Sequence, residues 1–116
     1  MTNHLVARLA AKSQHKNHQH VAIVTRGGAV VSVGYNGGPN GCVHAEAMAL
    51  GKLWPSERVG TKLHSIRLMK SGRMGLAKPC PECQKLIEES GVKAVFYSDN
   101  CGNMVHIKVA RKQGSC

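Results

Sequence analysis

Two short motifs in this 116-residue chain hold residue types that do chemistry: His44-Ala45-Glu46 and Cys80-Pro81-Glu82-Cys83. One imidazole and two thiolates form a donor set for Zn2+, and a nearby carboxylate that is not a ligand is left to act as acid or base. With His44, Cys80 and Cys83 as ligands, a tetrahedral zinc keeps its fourth position for water, the arrangement of a catalytic rather than a structural site. Zinc lowers the pKa of such a water to about 7, and Glu46 would take the proton. The chemistry these residue types can support is metal-assisted hydrolysis.

Spacing then says where the motifs must sit. In mid-helix, residues two apart point to different faces, so His44 and Glu46 converge only from a first turn. Cys80 and Cys83, three apart, share one helix face. Both motifs are therefore expected at helix N-termini, where partial positive charge favours thiolate over thiol. A lone Cys-x-x-Cys would read equally well as a redox pair or a structural zinc clasp. The structural alternative makes Cys42 a fourth ligand, but Cys42 precedes the helix start and a Cys3His cage gives Glu46 no task. Cys101 and Cys116 read as free thiols.

The elements that would position these groups follow from periodicity. Leu5, Val6, Leu9 and Ala10 predict a short amphipathic helix from about His4 to Ser13. The stretch His15-Lys16-Asn17-His18-Gln19-His20 reads as a solvated loop, its histidines lacking the ordered spacing of a metal site. Val21 to Thr25 and Ala29 to Tyr35 flank Arg26-Gly27-Gly28 and predict an antiparallel hairpin. Asn36-Gly37-Gly38-Pro39-Asn40-Gly41 is turn sequence, and a helix starts at His44 and fades at Trp54-Pro55.

Lys62 to Lys70 predicts a third strand, followed by a flexible basic loop from Ser71 to Lys78. Pro81 to Ser90 predicts a helix with proline at its first position and Gly91 at its stop. Ala94 to Ser98 and Met104 to Val109 predict the fourth and fifth strands. The short turn Asp99 to Asn103 forces that pair to be antiparallel, because a parallel crossover needs a dozen or more residues. The expectation is one α/β domain over residues 1–116, a five-stranded mixed sheet with helices on its faces.

Composition narrows the class. At 12.4 kDa and 42% hydrophobic residues the chain suits one globular core. No apolar run nears the roughly 20 residues that cross a membrane, and the N-terminus lacks the pattern of a secretory signal. The expectation is therefore a cytoplasmic protein without a membrane partner. The five cysteines, odd in number, do not suggest a disulfide framework. Sixteen Lys and Arg against six Asp and Glu give a net charge of +10, so the partner is expected to be anionic. A free nucleotide and a nucleic acid both meet that description.

His-x-Glu followed by Pro-Cys-x-x-Cys is the signature of zinc deaminases of nucleobases. From Val30 to Ser98 the chain resembles the cytidine and deoxycytidylate deaminase superfamily, most specifically in two blocks. One runs from Gly34-Tyr35-Asn36-Gly37 to His44-Ala45-Glu46; the other is Lys78-Pro79-Cys80-Pro81-Glu82-Cys83. The resemblance implies a three-layer cytidine-deaminase-like fold, Zn2+ as cofactor, and a cytosine nucleotide or nucleoside as substrate. It also implies a homo-oligomer, Asn36 contacting the sugar, and the backbone around Ala45 contacting the base. The Gly-Tyr-Asn-Gly block is closest to deoxycytidylate deaminases, whereas the run from His44 to Leu50 is also similar to tRNA adenosine deaminases. The short turn before the last strand departs from both and is closer to the cytidine deaminases.

Lys70, Arg73 and Lys78, near the zinc cysteines, are candidates to hold a 5′-phosphate. The first reading is hydrolysis of cytosine to uracil on a free deoxycytidine nucleotide or nucleoside. A deaminase of single-stranded nucleic acid, or of tRNA adenosine, is suggested by the charge. It is weakened by a shortage of aromatic residues on which bases could stack: Tyr35, Trp54, Phe96 and Tyr97 are all the chain has. A non-catalytic, zinc-stabilised nucleic-acid-binding module is the third reading.

Overall fold

The structure is a computed structural model and describes residues 18–36, 44–69, 74–77, 81–99 and 101–109. The helix expected over His4 to Ser13 lies outside them. Strand β1 (His18–Arg26) turns at Gly27 and Gly28, whose φ values of 58° and 84° make the reversal that other residues resist, into β2 (Ala29–Tyr35). Helix α1 (Ala45–Gly51) and the single-turn α2 (Pro55–Arg58) lead to β3 (Lys62–Met69) and the two-residue β4 (Met74–Gly75). Helix α3 (Pro81–Ser90) and strands β5 (Ala94–Ser98) and β6 (Met104–Lys108) complete the described chain.

The sheet order is β2-β1-β3-β5-β6, with β4 attached to β3. Among the described strands only β3 and β5 pair in parallel, and α3 lies in the connection between them. The last two strands are antiparallel, with Ala94 opposite Lys108 and Ser98 opposite Met104, as their short turn requires. Two expectations need correction. The sheet has six strands rather than five, because Met74 and Gly75 of the presumed basic loop pair with Leu68 and Arg67. The histidine-rich stretch is not all loop either. His18 to His20 extend β1, because β3 is long enough to pair with them from Arg67 to Met69.

Strand β1 lies between β2 and β3 and is buried on both faces, from Val21 to Val24, so its sequence is a continuous apolar run rather than an alternation. Ala22 and Val24 join Ala45, Ala49 and Leu50 of α1, Leu63, Ile87 of α3 and Val95 in the larger core cluster. Val21 and Ile23 face the other way and pack with Ile66. On that second face a column of near-parallel rings crosses three strands: His64 on Phe96 at 5.0 Å and Phe96 on His106 at 4.6 Å.

Candidate active site

Helix α1 is seated against β2 by contacts that only small residues permit. A Cβ on Gly34 would stand 2.3 Å from the Ala45 carbonyl oxygen and 2.7 Å from the Ala49 nitrogen, so the helix backbone lies directly on the strand. The Ser32 hydroxyl donates to the Ala49 carbonyl at 2.6 Å, and Lys52 Nζ donates to the Val33 carbonyl at 2.8 Å. These contacts fix where the first turn of α1 points.

At that turn His44 is the N-cap, with extended backbone (φ −79°, ψ 142°) and no side-chain capping bond. Glu46, two residues on, is 1% exposed. The His44 imidazole Nδ1 lies 3.1 Å from Cys83 Sγ, in the first turn of α3. Cys83 is buried and unbridged, and Cys101, also unbridged, is exposed. The two motifs thus meet where the N-termini of α1 and α3 approach one another. Cys80, Lys70, Arg73 and Lys78 lie outside the described residues, and among those described no three potential ligands cluster.

Glu46 Oε1 is buried and has no hydrogen-bond partner among the described residues. An orphaned carboxylate oxygen is costly in a protein interior unless a ligand or reacting group completes it. Two donors of one tetrahedral zinc, at the usual Zn–N and Zn–S lengths, stand roughly 3.5 Å apart, close to the 3.1 Å between His44 and Cys83. The donor types, their separation and the spare acid beside them fit a zinc site.

A histidine from the stretch expected to be a solvated loop faces Glu46 Oε1. His20 Nε2 is 3.8 Å from Glu46 Oε1 and 2.5 Å from Ser65 Oγ. Ser65 is fully buried and its hydroxyl donates to the Ala77 carbonyl at 3.0 Å. The signal that could have found His20 is the strand's period of two: it lies on the same face as Ala22 and Val24, which pack under α1. Burial holds the His20 imidazole below its ordinary pKa; the neighbouring Glu46 carboxylate opposes this, and Arg67 and His44 reinforce it.

Asn36, at the end of β2, is buried and locked to the same residue. Its side-chain oxygen accepts from the His20 N–H at 3.0 Å, and its own N–H donates to the His20 carbonyl at 3.1 Å. Ala45, the other expected contact to substrate, is fully buried in the first turn of α1.

A mixed sheet carrying His-x-Glu and a cysteine on two converging helix starts is the framework of a hydrolytic deaminase. Residues 2–99 match the profile of the cytidine and deoxycytidylate deaminase zinc-binding region. The chain belongs to that family, and Zn2+ is the family's cofactor. Among solved structures it is similar to the apo form of dCMP deaminase from the cyanophage S-TIM5. The identity is 27%, the TM-score 0.61, and the match covers 85% of this chain and 86% of that one. It is also similar to the same phage enzyme in complex with dCMP and dUMP, at 27% identity and TM-score 0.56, over 83% of this chain and 74% of that one. No match was found among curated proteins.

Proposed function

We propose that the chain removes the exocyclic amine of a free deoxycytidine nucleotide or nucleoside, dCMP-like, consuming one water and releasing uracil-containing product and ammonia. His44, Cys80 and Cys83 hold the zinc, which when bound activates the attacking water. Glu46 takes a proton from that water and delivers it to the ring nitrogen, then takes the remaining hydroxyl proton of the tetrahedral adduct and delivers it to the departing amine, which leaves as ammonia. Asn36, held by His20, meets the sugar; the first-turn backbone at Ala45 meets the base; Lys70, Arg73 and Lys78 attract the phosphate.

The observation that carries this reading is Glu46 itself: a buried carboxylate with an unsatisfied oxygen, two residues from an imidazole in contact with Cys83. A structurally similar phage enzyme solved with dCMP and dUMP supports the choice of a nucleotide. The net charge of +10 favours a second reading, deamination of a cytosine in single-stranded nucleic acid.

The deciding experiment incubates the zinc-loaded protein, beside Glu46→Gln, with dCMP, deoxycytidine, cytidine and a cytosine-containing single-stranded oligonucleotide, and reads products by mass spectrometry. Turnover of dCMP or a nucleoside that is lost in Glu46→Gln supports the first reading. Turnover confined to the oligonucleotide overturns it in favour of the second. Turnover surviving in Glu46→Gln removes the glutamate from the mechanism.

A further inference from the structure

His20, near the start of β1, has a side chain that the chemistry above does not use. His20 Nε2 lies 2.5 Å from Ser65 Oγ and 3.8 Å from Glu46 Oε1, which has no hydrogen-bond partner among the described residues. The direction of the first bond can be deduced. Ser65 has one hydroxyl proton and donates it to the Ala77 carbonyl, so toward His20 its oxygen can only accept. With that direction the imidazole carries its proton on Nε2, the nitrogen that also faces Glu46 Oε1 at 3.8 Å. The backbone of His20 is fixed too, because β1 is a central strand and because His20 exchanges two hydrogen bonds with Asn36. A donor held at both backbone and ring, aimed past a buried serine at an unsatisfied acid, is more than packing requires.

We propose that His20 is a positioning residue for Glu46. Its one Nε2–H, given to Ser65 Oγ in this structure, is shared in a three-centre bond with Oε1 once the 3.8 Å gap closes and holds that oxygen toward β1, so that the other carboxylate oxygen faces the reacting atoms and moves the protons. The proposal rests on the reading of Glu46 as proton carrier. It gives the carboxylate one tethered oxygen and one working oxygen, and it costs only a small closure of the 3.8 Å gap when the site fills.

The test measures kcat, KM, zinc content and melting temperature on dCMP, or on whichever substrate turns over, for full-length His20→Leu, His20→Gln, Ser65→Ala and Glu46→Gln. Loss of a group that orients a catalytic ligand costs about 10–100-fold. Accordingly His20→Leu, which fills the space without a donor, is expected to lose kcat in that range with KM and zinc content unchanged. His20→Gln, which restores an N–H at similar reach, is expected to recover most of it, and Ser65→Ala to lose less than His20→Leu. A merely structural His20 predicts Leu and Gln variants with equal kcat, and that result overturns the proposal. If the leucine variant fails to fold, Ser65→Ala decides: parental kcat there also overturns it. Failure of the underlying reading looks different, since it appears as activity retained in Glu46→Gln. An inactive Glu46→Gln beside a fully active His20→Leu leaves the reading intact and removes this inference alone.

Discussion

Helices α1 and α2 each carry a glutamate in the first turn, and the two carboxylates have opposite fates. Glu57 of α2 is exposed and turns back to accept the Trp54 N–H at 2.8 Å, satisfying a backbone donor that the short helix cannot satisfy itself. Glu46 of α1 makes no such bond. It is buried, its Oε1 accepts no hydrogen bond among the described residues, and its N-cap, His44, contributes no side-chain bond to the helix either. Glu57 stands third after its N-cap, where a carboxylate reaches back to the cap N–H, and Glu46 stands second after its own, so one glutamate stabilises its helix and the other does not. The comparison teaches how a site is told from a scaffold: not by residue type, but by which polar groups the fold leaves incomplete.

That contrast can be broken most severely at Glu46. Glu46→Gln is expected to lower turnover by about 10³-fold, the typical reach of acid–base catalysis, with a melting temperature no lower than the parent's, because a buried carboxylate has been replaced by a neutral amide. A clear loss of melting temperature would mean that Glu46 supports the fold after all. Next in size is Gly34→Ala, which would drive a methyl into the α1 backbone and is expected to cost about 3 kcal/mol by denaturant titration, with activity falling as the first turn moves.

Acid is expected to act on two buried histidines. His20 and His64 are both held below their ordinary pKa, chiefly by burial, so between the folded and unfolded pKa values the unfolded chain binds the extra protons. Their contribution to stability is present above about pH 6.5 and is lost as pH falls through that range toward the folded values. Thermal melts should therefore move downward from pH 7.5 to pH 5.5, and His64→Phe should flatten part of that slope. The smallest effect belongs to Glu57→Ala, expected to cost about 0.5–1 kcal/mol with kcat unchanged, as befits loss of a helix cap. Any change in kcat there would erase the distinction between the two glutamates.

Much of this was legible before the fold was known, and unevenly so. His44, Glu46 and Cys83 stood out because metal ligands must be particular residue types at particular spacings, and both helix starts followed from geometry. The antiparallel end of the sheet followed from the length of one turn. Strand β4 did not, because two residues carry no period, and Met74 and Gly75 become a strand only where β3 offers an edge. His20 and Ser65 did not either. They are 45 residues apart and meet across the β1–β3 pairing, whose register sets His20 opposite Arg67 and Ala22 opposite Ser65. A histidine amid lysine and asparagine reads as solvent-facing until that register turns it inward.

The placement of β1 has one more consequence. Residues Val21 to Val24 have a hydrogen-bonded strand on either side and apolar cover on both faces, which makes their amides candidates for the slowest hydrogen exchange in the molecule, opening only with global unfolding. His20 begins where that segment begins. The tether proposed for Glu46 would thus be rooted beside the segment expected to open last, and fluctuations that loosen the helices or the outer strands would leave it standing.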